Sequence, residues 1–331
     1  MKRTIASRLL CRSGLRRLLH QTARWSGVLA LNYHRIGESQ GSSYDRALWS
    51  TDADTFAAQM RFCKSQLEII SPADLPDVLA KKRGRYAMVT FDDGYRDNYE
   101  VAFPILKHEG MAATFFIASG YIDSPTLPWW DEIAWMVRTS LRSGIVLASW
   151  LDAPVRFDEP NREAAILILL RRYKTMSGET TNDYLDAIAI AAGTGRCLDQ
   201  VNDQMWMTWE MLREMKAAGM TIGGHSVTHP VLSRLTPQEQ QHEIMECGRR
   251  FAQELGEPMH CFSYPVGNTS AFDEISRDSL REAGVAYAFS YYGGYRRFDD
   301  WDDYDVRRVA IERELDADWF RSIVTLPQVF A

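Results

Sequence analysis

The sequence predicts an α/β fold, a distorted (β/α)7-type barrel that carries a helical insertion. Three observations point there. Seven short apolar runs of β type are spread along the 331 residues. Helix-like stretches with their own start and stop signals separate them, and strand alternating with helix implies a parallel sheet with helices outside. Between about residues 124 and 205 the strand rhythm stops and helical patterns take over. The 46% hydrophobic content supplies a substantial core, and the length suits one large α/β domain or two ordinary ones.

The first 37 residues hold eight Lys or Arg and no acid, which leaves the rest of the chain at −14 against a total of −6. An acidic body argues against a nucleic-acid partner. Residues 1–27 read as a separate basic segment. Leu15, Leu18, Leu19 and Trp25 fall roughly on one helical face, and the unbroken apolar core of a secretory signal is missing. Such a segment can make peripheral contact with an anionic membrane through residues 1–25, pack on the domain as a solvated helix, or act as a transit peptide. The five cysteines are scattered and none forms C-x-x-C, which suits free thiols and a cytoplasmic location, membrane-associated where the basic segment makes the membrane contact.

Residues 28–331 read as the barrel. The first strand is "VLALNY", ending at His34. "DADTFAAQMRFCKS" follows, opening on acids suited to a helix N-terminus. "AMVTFD" is the second strand, and "DNYEVAFPILKHEG" a helix stopped by Gly110. "ATFFIA" is the third strand. Then come three helical patterns, "LPWWDEIAWMVRTSL", "REAAILILLRRY" and "TNDYLDAIAIAAG", with no convincing strand among them. "TWEMLREMKAAG" restores the rhythm before "MTIGGH", and "TPQEQQHEIMECGRRFAQELG" starts on Thr-Pro and stops at Gly256. "CFSYP", "AYAFS" and "VRRVAI" complete the set. No run approaches the roughly 20 apolar residues of a membrane span.

Chemistry collects at strand ends. Asp92 and Asp93 follow Met88–Phe91, and Gly94 turns the chain. Adjacent carboxylates are costly unless something positive lies between them, and at a turn one can hold a metal while the other takes a proton. His225 and His229 are i and i+4, so one helical turn would put both imidazoles on one face, a divalent-metal geometry. Two His and one Asp leave positions open on an ion, as catalytic sites do. "CFSYPVGN" ends in a tight turn that offers a backbone donor to developing negative charge, around Tyr264 and Val266. Trp130, beside Trp129, is a candidate sugar-stacking platform, and either indole can instead anchor the insertion.

Taken together, T-F-D-D-G at 90–94 and H-S-x-x-H at 225–229 resemble the first two motifs of the polysaccharide deacetylases of carbohydrate esterase family 4, the NodB homology domain. The resemblance runs from about residue 28 to the end, interrupted by the insertion. It implies a divalent metal, with zinc expected and cobalt or nickel able to replace it. It implies Asp93, His225 and His229 as ligands, Asp92 as general base, and an N-acetylated amino sugar as substrate. The third motif departs from the family: Ser263, Pro265 and Val266 stand where an Arg and a Pro-Tyr are usual. The Arg role then falls to Arg307 or Arg308, and Arg308 is preferred. A C-terminal histidine is also usual as general acid, yet no histidine follows His260. A barrel brings its first strand beside its last, and the poly-N-acetylglucosamine deacetylase branch carries a Tyr-His segment early in the chain. "LNYHRI" is similar, so His34 is the expected acid, with Asp303 or Asp305 holding its other nitrogen. A deformylase on a lipid-linked amino sugar would use the same residues, and a non-catalytic sugar-binding protein is the reading from another class.

Overall fold

Seven parallel strands wind in chain order around one axis in the computed structural model, which describes Ser7, residues 25–197 and residues 204–331. They are β1 (Gly27–Tyr33), β2 (Arg85–Phe91), β3 (Thr114–Ile117), β4 (Thr221–Gly224), β5 (Cys261–Ser263), β6 (Tyr287–Phe289) and β7 (Arg308–Ala310). β1 and β2 are the long pair, in register from Gly27↔Arg85 to Tyr33↔Phe91. The ladder thins toward the other side, where β4 and β5 meet only at Phe262↔Gly224. A single parallel bridge, Phe289↔Val306, links β6 to the approach of β7, and β7 pairs with β1 through Ala30↔Arg308. First and last strands are therefore neighbours, as a closed ring requires. The basic segment of residues 1–24 lies outside the described residues apart from Ser7.

Residue parity on the strands decides which side chains enter the lumen. Val28 and Ala30 of β1, Met88 of β2, Phe116 of β3, Cys261 of β5, Phe289 of β6 and Val306 form one buried cluster. Their neighbours Leu29, Leu31, Ala87, Val89, Phe115, Ile117 and Phe262 belong to the cluster that packs against the surrounding helices. Successive strand residues point to opposite faces, so the next lumen positions upward are Asn32, Thr90, Ser263 and Arg308. All four are buried. The lumen is apolar below and polar at its upper end.

The helices begin and stop where the sequence signals them. Asp52 caps α1 (Ala53–Gln66) by accepting from Thr55 N–H. Thr236 and Glu239 form a capping box on α6 (Pro237–Leu255), which stops at Gly256 in the left-handed region. The stretch after the second strand differs from the regular helix expected. It opens as a π-turn over Asn98–Ala102 and becomes α2 (Phe103–Glu109) only at Phe103. Pro104 lacks an N–H and its ring would crowd the carbonyl one turn back, so the widened turn relieves the clash.

The insertion is built from α3 (Trp129–Thr139), α4 (Arg162–Tyr173) and α5 (Thr181–Ala192), with a buried cluster of its own. It is not purely helical: Gly144–Ile145 and Val155–Arg156 form a small antiparallel pair. Gly144 permits it, since a Cβ there would come within 2.6 Å of the Val155 carbonyl. Cys63, Cys247 and Cys261 are buried free thiols, and Cys197 is buried as well. Among the described residues no helix is long and apolar enough to cross a membrane.

Candidate active site

Asp92 and Asp93 leave β2 in different directions because the backbone reverses between them. Asp92 N–H still bonds the Tyr33 carbonyl, as a strand residue would. Asp93 has φ 78° and Gly94 φ 95°. Non-glycine residues seldom adopt this left-handed conformation, and it marks sites where the surrounding structure holds the chain in place. Asp93, Ser226, His229 and Val266 are four of the five non-glycine residues with positive φ among those described, and the fifth, Lys82, ends a helix elsewhere.

His225 and His229 are not on a helix, contrary to the expectation. The chain from β4 loops through Ser226, at φ 63°, to His229, at φ 57°. Pro230 disfavours helical backbone at His229, which explains the loop. Glu243 of α6 fastens it by accepting from Val227 N–H, Thr228 N–H and the Thr228 hydroxyl, at 2.8, 2.9 and 2.6 Å. The pairing survives without a helical turn, and the imidazole centroids lie 4.6 Å apart.

Asp93 Oδ1 lies 3.5 Å from both His225 Nε2 and His229 Nε2. One donor atom from each of the three residues lies within 4.8 Å of the others. His225 Nδ1 donates to the Ser263 carbonyl at 2.7 Å, which turns Nε2 toward the cluster. Burial, helped by His225, pushes the His229 imidazole down to about 3, so it is neutral at ordinary pH and its lone pair is available. Burial opposes ionisation of Asp93, but the three histidines outweigh it and lower its carboxyl. One carboxylate oxygen and two imidazole nitrogens in a buried pocket fit a divalent cation of the zinc, cobalt or nickel type.

Arg308 enters from β7 and grips Asp92 with both arms, Nη1 to Oδ1 at 2.7 Å and Nη2 to Oδ2 at 2.8 Å. Its remaining bonds go to Asn32 Oδ1, Ser263 Oγ, Thr90 Oγ1 and the Ser290 carbonyl. Asn32 adds an N–H to Asp92 Oδ2 at 3.2 Å. Burial alone would raise the Asp92 carboxyl; Arg308 and then His225 reverse this and hold it well below the usual carboxylate range. The expected Asp92–Arg308 partnership is therefore present. Ser263, standing where the family pattern places an Arg, is small enough to let this guanidinium in. Arg307 pairs instead with Asp305.

His34 directly follows β1 and lines the same cavity as Asp92, Asp93, His225 and His229, which has a volume of about 580 Å³. Its backbone is held by Ser50 Oγ and the Asn98 amide, and its ring stands edge-on to Tyr291 at 5.4 Å. Neither expected acid touches it. Asp305 is taken by Arg296, Ser290 and Tyr292, and Asp303 by Trp301.

Two of the expected substrate contacts have other employment. The Tyr264 ring stacks on Phe272, its hydroxyl donates to the Tyr304 carbonyl, and its N–H bonds Phe289, so Tyr264 has no donor left for an oxyanion. Trp130 is 4% exposed; its N–H donates to the Tyr95 hydroxyl, which donates in turn to Asp131, and its ring meets His229 at 4.4 Å. It props His229 and offers no open face to a sugar. Trp129 stacks on Tyr173 and donates to the His229 carbonyl. Val266 lines the cavity at φ 63°, and no described residue accepts from its N–H. Sequence reasoning missed Asn32, Thr90, Glu243 and Tyr291.

A family model described as polysaccharide deacetylase matches residues 80–149 and 178–288. Poly-beta-1,6-N-acetyl-D-glucosamine N-deacetylase of Staphylococcus aureus is 29% identical over 111 residues, 29% of this chain and 38% of that protein. The chain spans 39% and 38% of the length of the curated relatives it matches first. Two solved structures share the fold across 92% of this chain and 98% of their own. They are the Streptococcus pyogenes deacetylase PplD in complex with acetate, at TM-score 0.58 and 15% identity, and IcaB from Ammonifex degensii, at 0.56 and 18%.

Proposed function

The chain belongs to the polysaccharide deacetylase family, and on that premise we propose that it is a metal-dependent hydrolase that removes N-acetyl groups from an amino sugar. One observation carries the proposal: a carboxylate locked ionised by a buried arginine fork stands beside an Asp-His-His cluster in a cavity that a histidine also lines. Binding a sugar needs no such division of labour between two adjacent acids.

Asp93, His225 and His229 would hold the ion, and zinc suits two imidazoles and one carboxylate, with cobalt or nickel able to use the same donors. Once bound, such an ion supplies Lewis acidity, easing deprotonation of water and polarising a carbonyl. Asp92 takes the proton from the attacking water. Its depressed pKa keeps it free of a resting proton, and Arg308 fixes which lone pairs face the cavity. As the carbonyl carbon becomes tetrahedral, the Val266 N–H donates to the oxygen that gains charge. His34 delivers a proton to the departing nitrogen, because an amide anion is far too basic to leave unaided. The C–N bond breaks, water supplies the OH, and acetate and a free amine result.

An acetate-release assay on a panel of N-acetylated amino sugars tests this, run with and without a chelator. Acetate equal to new amine, stopped by chelator and restored by added zinc, is the expected result. Formate release from an N-formyl sugar with no acetate from the panel would replace deacetylation by deformylation.

A further inference from the structure

The insertion turns one whole face of α4 (Arg162–Tyr173) and its end toward the reaction cavity. Ile166, Leu167, Leu170, Arg171 and Lys174 all line it, at the three- and four-residue spacing of a single helical stripe. The stripe is ordered. Lys174 marks its inner end, with its ammonium 5.9 Å from the centroid of the Trp129 ring, whose N–H holds the carbonyl of His229. Arg171 comes next, one turn back. Beyond it the lining is aliphatic, with Leu167 46% exposed. Neither Lys174 nor Arg171 forms an ion pair with a described residue, whereas the acid on this stripe, Glu163, is gripped by both arms of Arg138. Along this stripe the cavity thus has two cations outside any ion pair, followed by aliphatic surface; the acids Asp45, Glu312 and Glu314 stand elsewhere in the lining. Neither tryptophan beside it offers the free indole face on which pyranose rings of a polymer pack, since Trp129 is covered by Tyr173 and Trp130 is buried against His229.

We propose that the amino sugar reaches this site on a lipid phosphate: the sugar at the Asp93–His225–His229 cluster, the phosphate on Lys174 and Arg171, and the start of the aliphatic chain along Leu170 and Leu167. The proposal rests on the N-deacetylase reading and narrows its substrate. Order along the stripe supports it, because a glycosyl lipid phosphate presents sugar, anion and hydrocarbon in that sequence. Over the seven residues from Lys174 to Leu167 a helix rises about 10 Å, enough to separate a phosphate from the first few carbons of a chain. Charged groups on phosphate form the stronger class of hydrogen bond, and exposed aliphatic side chains gain by leaving water.

Two measurements on the full chain test it. The first compares kcat/KM for acetate release from four substrates with the same N-acetylated sugar: a dodecyl diphosphate, a diphosphate without the alkyl chain, a neutral dodecyl glycoside, and a tetrasaccharide. The dodecyl diphosphate should lead each of the others by about tenfold or more, the gain from one well-placed interaction. Arg171→Ala with Lys174→Ala should erase most of that lead through KM with kcat nearly kept, and Leu167→Ser should weaken the advantage of the alkyl chain. The second titrates dodecyl phosphate against intrinsic tryptophan fluorescence, with inorganic phosphate as the control. Saturable binding by dodecyl phosphate, at least tenfold tighter than inorganic phosphate and weakened by salt, is expected. Preference for the tetrasaccharide, or equal rates on all four substrates, would overturn the lipid-phosphate assignment while leaving deacetylation standing. Absence of acetate from every substrate would overturn the deacetylase reading, and the fluorescence titration would then judge the lipid-phosphate subsite alone.

Discussion

Replacing Arg308 should disable the general base and reverse the pH dependence of stability contributed by one carboxylate. The wild-type sign follows from the site. Burial pushes the Asp92 carboxyl up, and the Arg308 fork, with help from His225, pulls it well below its ordinary value. A depressed folded-state pKa means that Asp92 stabilises the fold above the unfolded carboxyl pKa of about 3.9 and loses that contribution as pH falls toward the folded value. Arg308→Ala leaves burial opposed chiefly by His225, and the carboxyl pKa rises. Once it passes the unfolded value, the contribution changes sign: stability is greatest in acid and falls as pH climbs. At neutral pH the variant also keeps a buried charge without its partner, a loss of about 3–5 kcal/mol. At the low end of 2–4 °C per kcal/mol, suited to a long chain, that is roughly 6–10 °C in Tm. Turnover should drop by roughly 10²–10⁴ at neutral pH, and the acidic limb of the kcat/KM profile should move to higher pH. Arg308→Lys retains charge but not the two-armed grip, so its limb should move less although its rate still falls. Calorimetry between pH 4 and 8 and pH–rate profiles of both variants provide the readout. Folded variants whose acidic limb stays at the wild-type position would refute the argument, because Arg308 could not then be what keeps Asp92 ionised.

Three further outcomes are expected. His34→Ala should preserve metal content and fold yet lose activity on N-acetyl sugars, with a much smaller loss on an activated aryl acetate whose leaving group needs no proton; equal losses on both would remove His34 from the acid role. Trp130→Phe deletes the N–H that bonds Tyr95 and loosens the prop against His229, so calorimetric titration should show weaker zinc binding by roughly tenfold or more, whereas unchanged affinity would make Trp130 mere packing. Glu243→Gln keeps the shape of the loop anchor but removes the charge that accepts two backbone N–H groups and the Thr228 hydroxyl; it should weaken metal binding and lower Tm by a few degrees, and normal zinc affinity would show that the His225–His229 loop holds its form without that charge.

The seven strands were legible because each is a short, largely buried run of mostly apolar or small residues, and because turn and capping residues separate them. Asp92, Asp93, His225 and His229 were legible because they stand at strand ends in recognisable spacing. Arg308 could be suspected once a positive partner for Asp92 was missing from "CFSYPVGN", although its grip joins residues 216 positions apart. Strand parity could have carried the reading further: Asn32 and Thr90 have the same parity as the lumen residues Ala30 and Met88, so both were bound to reach the top of the barrel. What could not be read was how the insertion docks. Trp129 and Trp130 looked equally suited to a sugar or to packing, and only the approach of Tyr173, Tyr95 and His229, from separate parts of the chain, decides it. The helical turn expected over His225–His229 failed for a local reason, Pro230, that was present in the sequence and outweighed the i, i+4 spacing.

The central claim is that adjacent aspartates divide the work, Asp93 holding the ion and Asp92 moving the proton. The most direct test strips the wild type, Asp93→Ala and Asp92→Asn with chelator, then adds one equivalent of zinc to each and measures bound metal together with acetate release. The account predicts that the wild type recovers both and that Asp93→Ala recovers neither. It predicts that Asp92→Asn binds close to one equivalent yet releases acetate more slowly by roughly 10²–10⁴. Full turnover by metal-free wild type, or an Asp92→Asn site that cannot take up zinc, would contradict it.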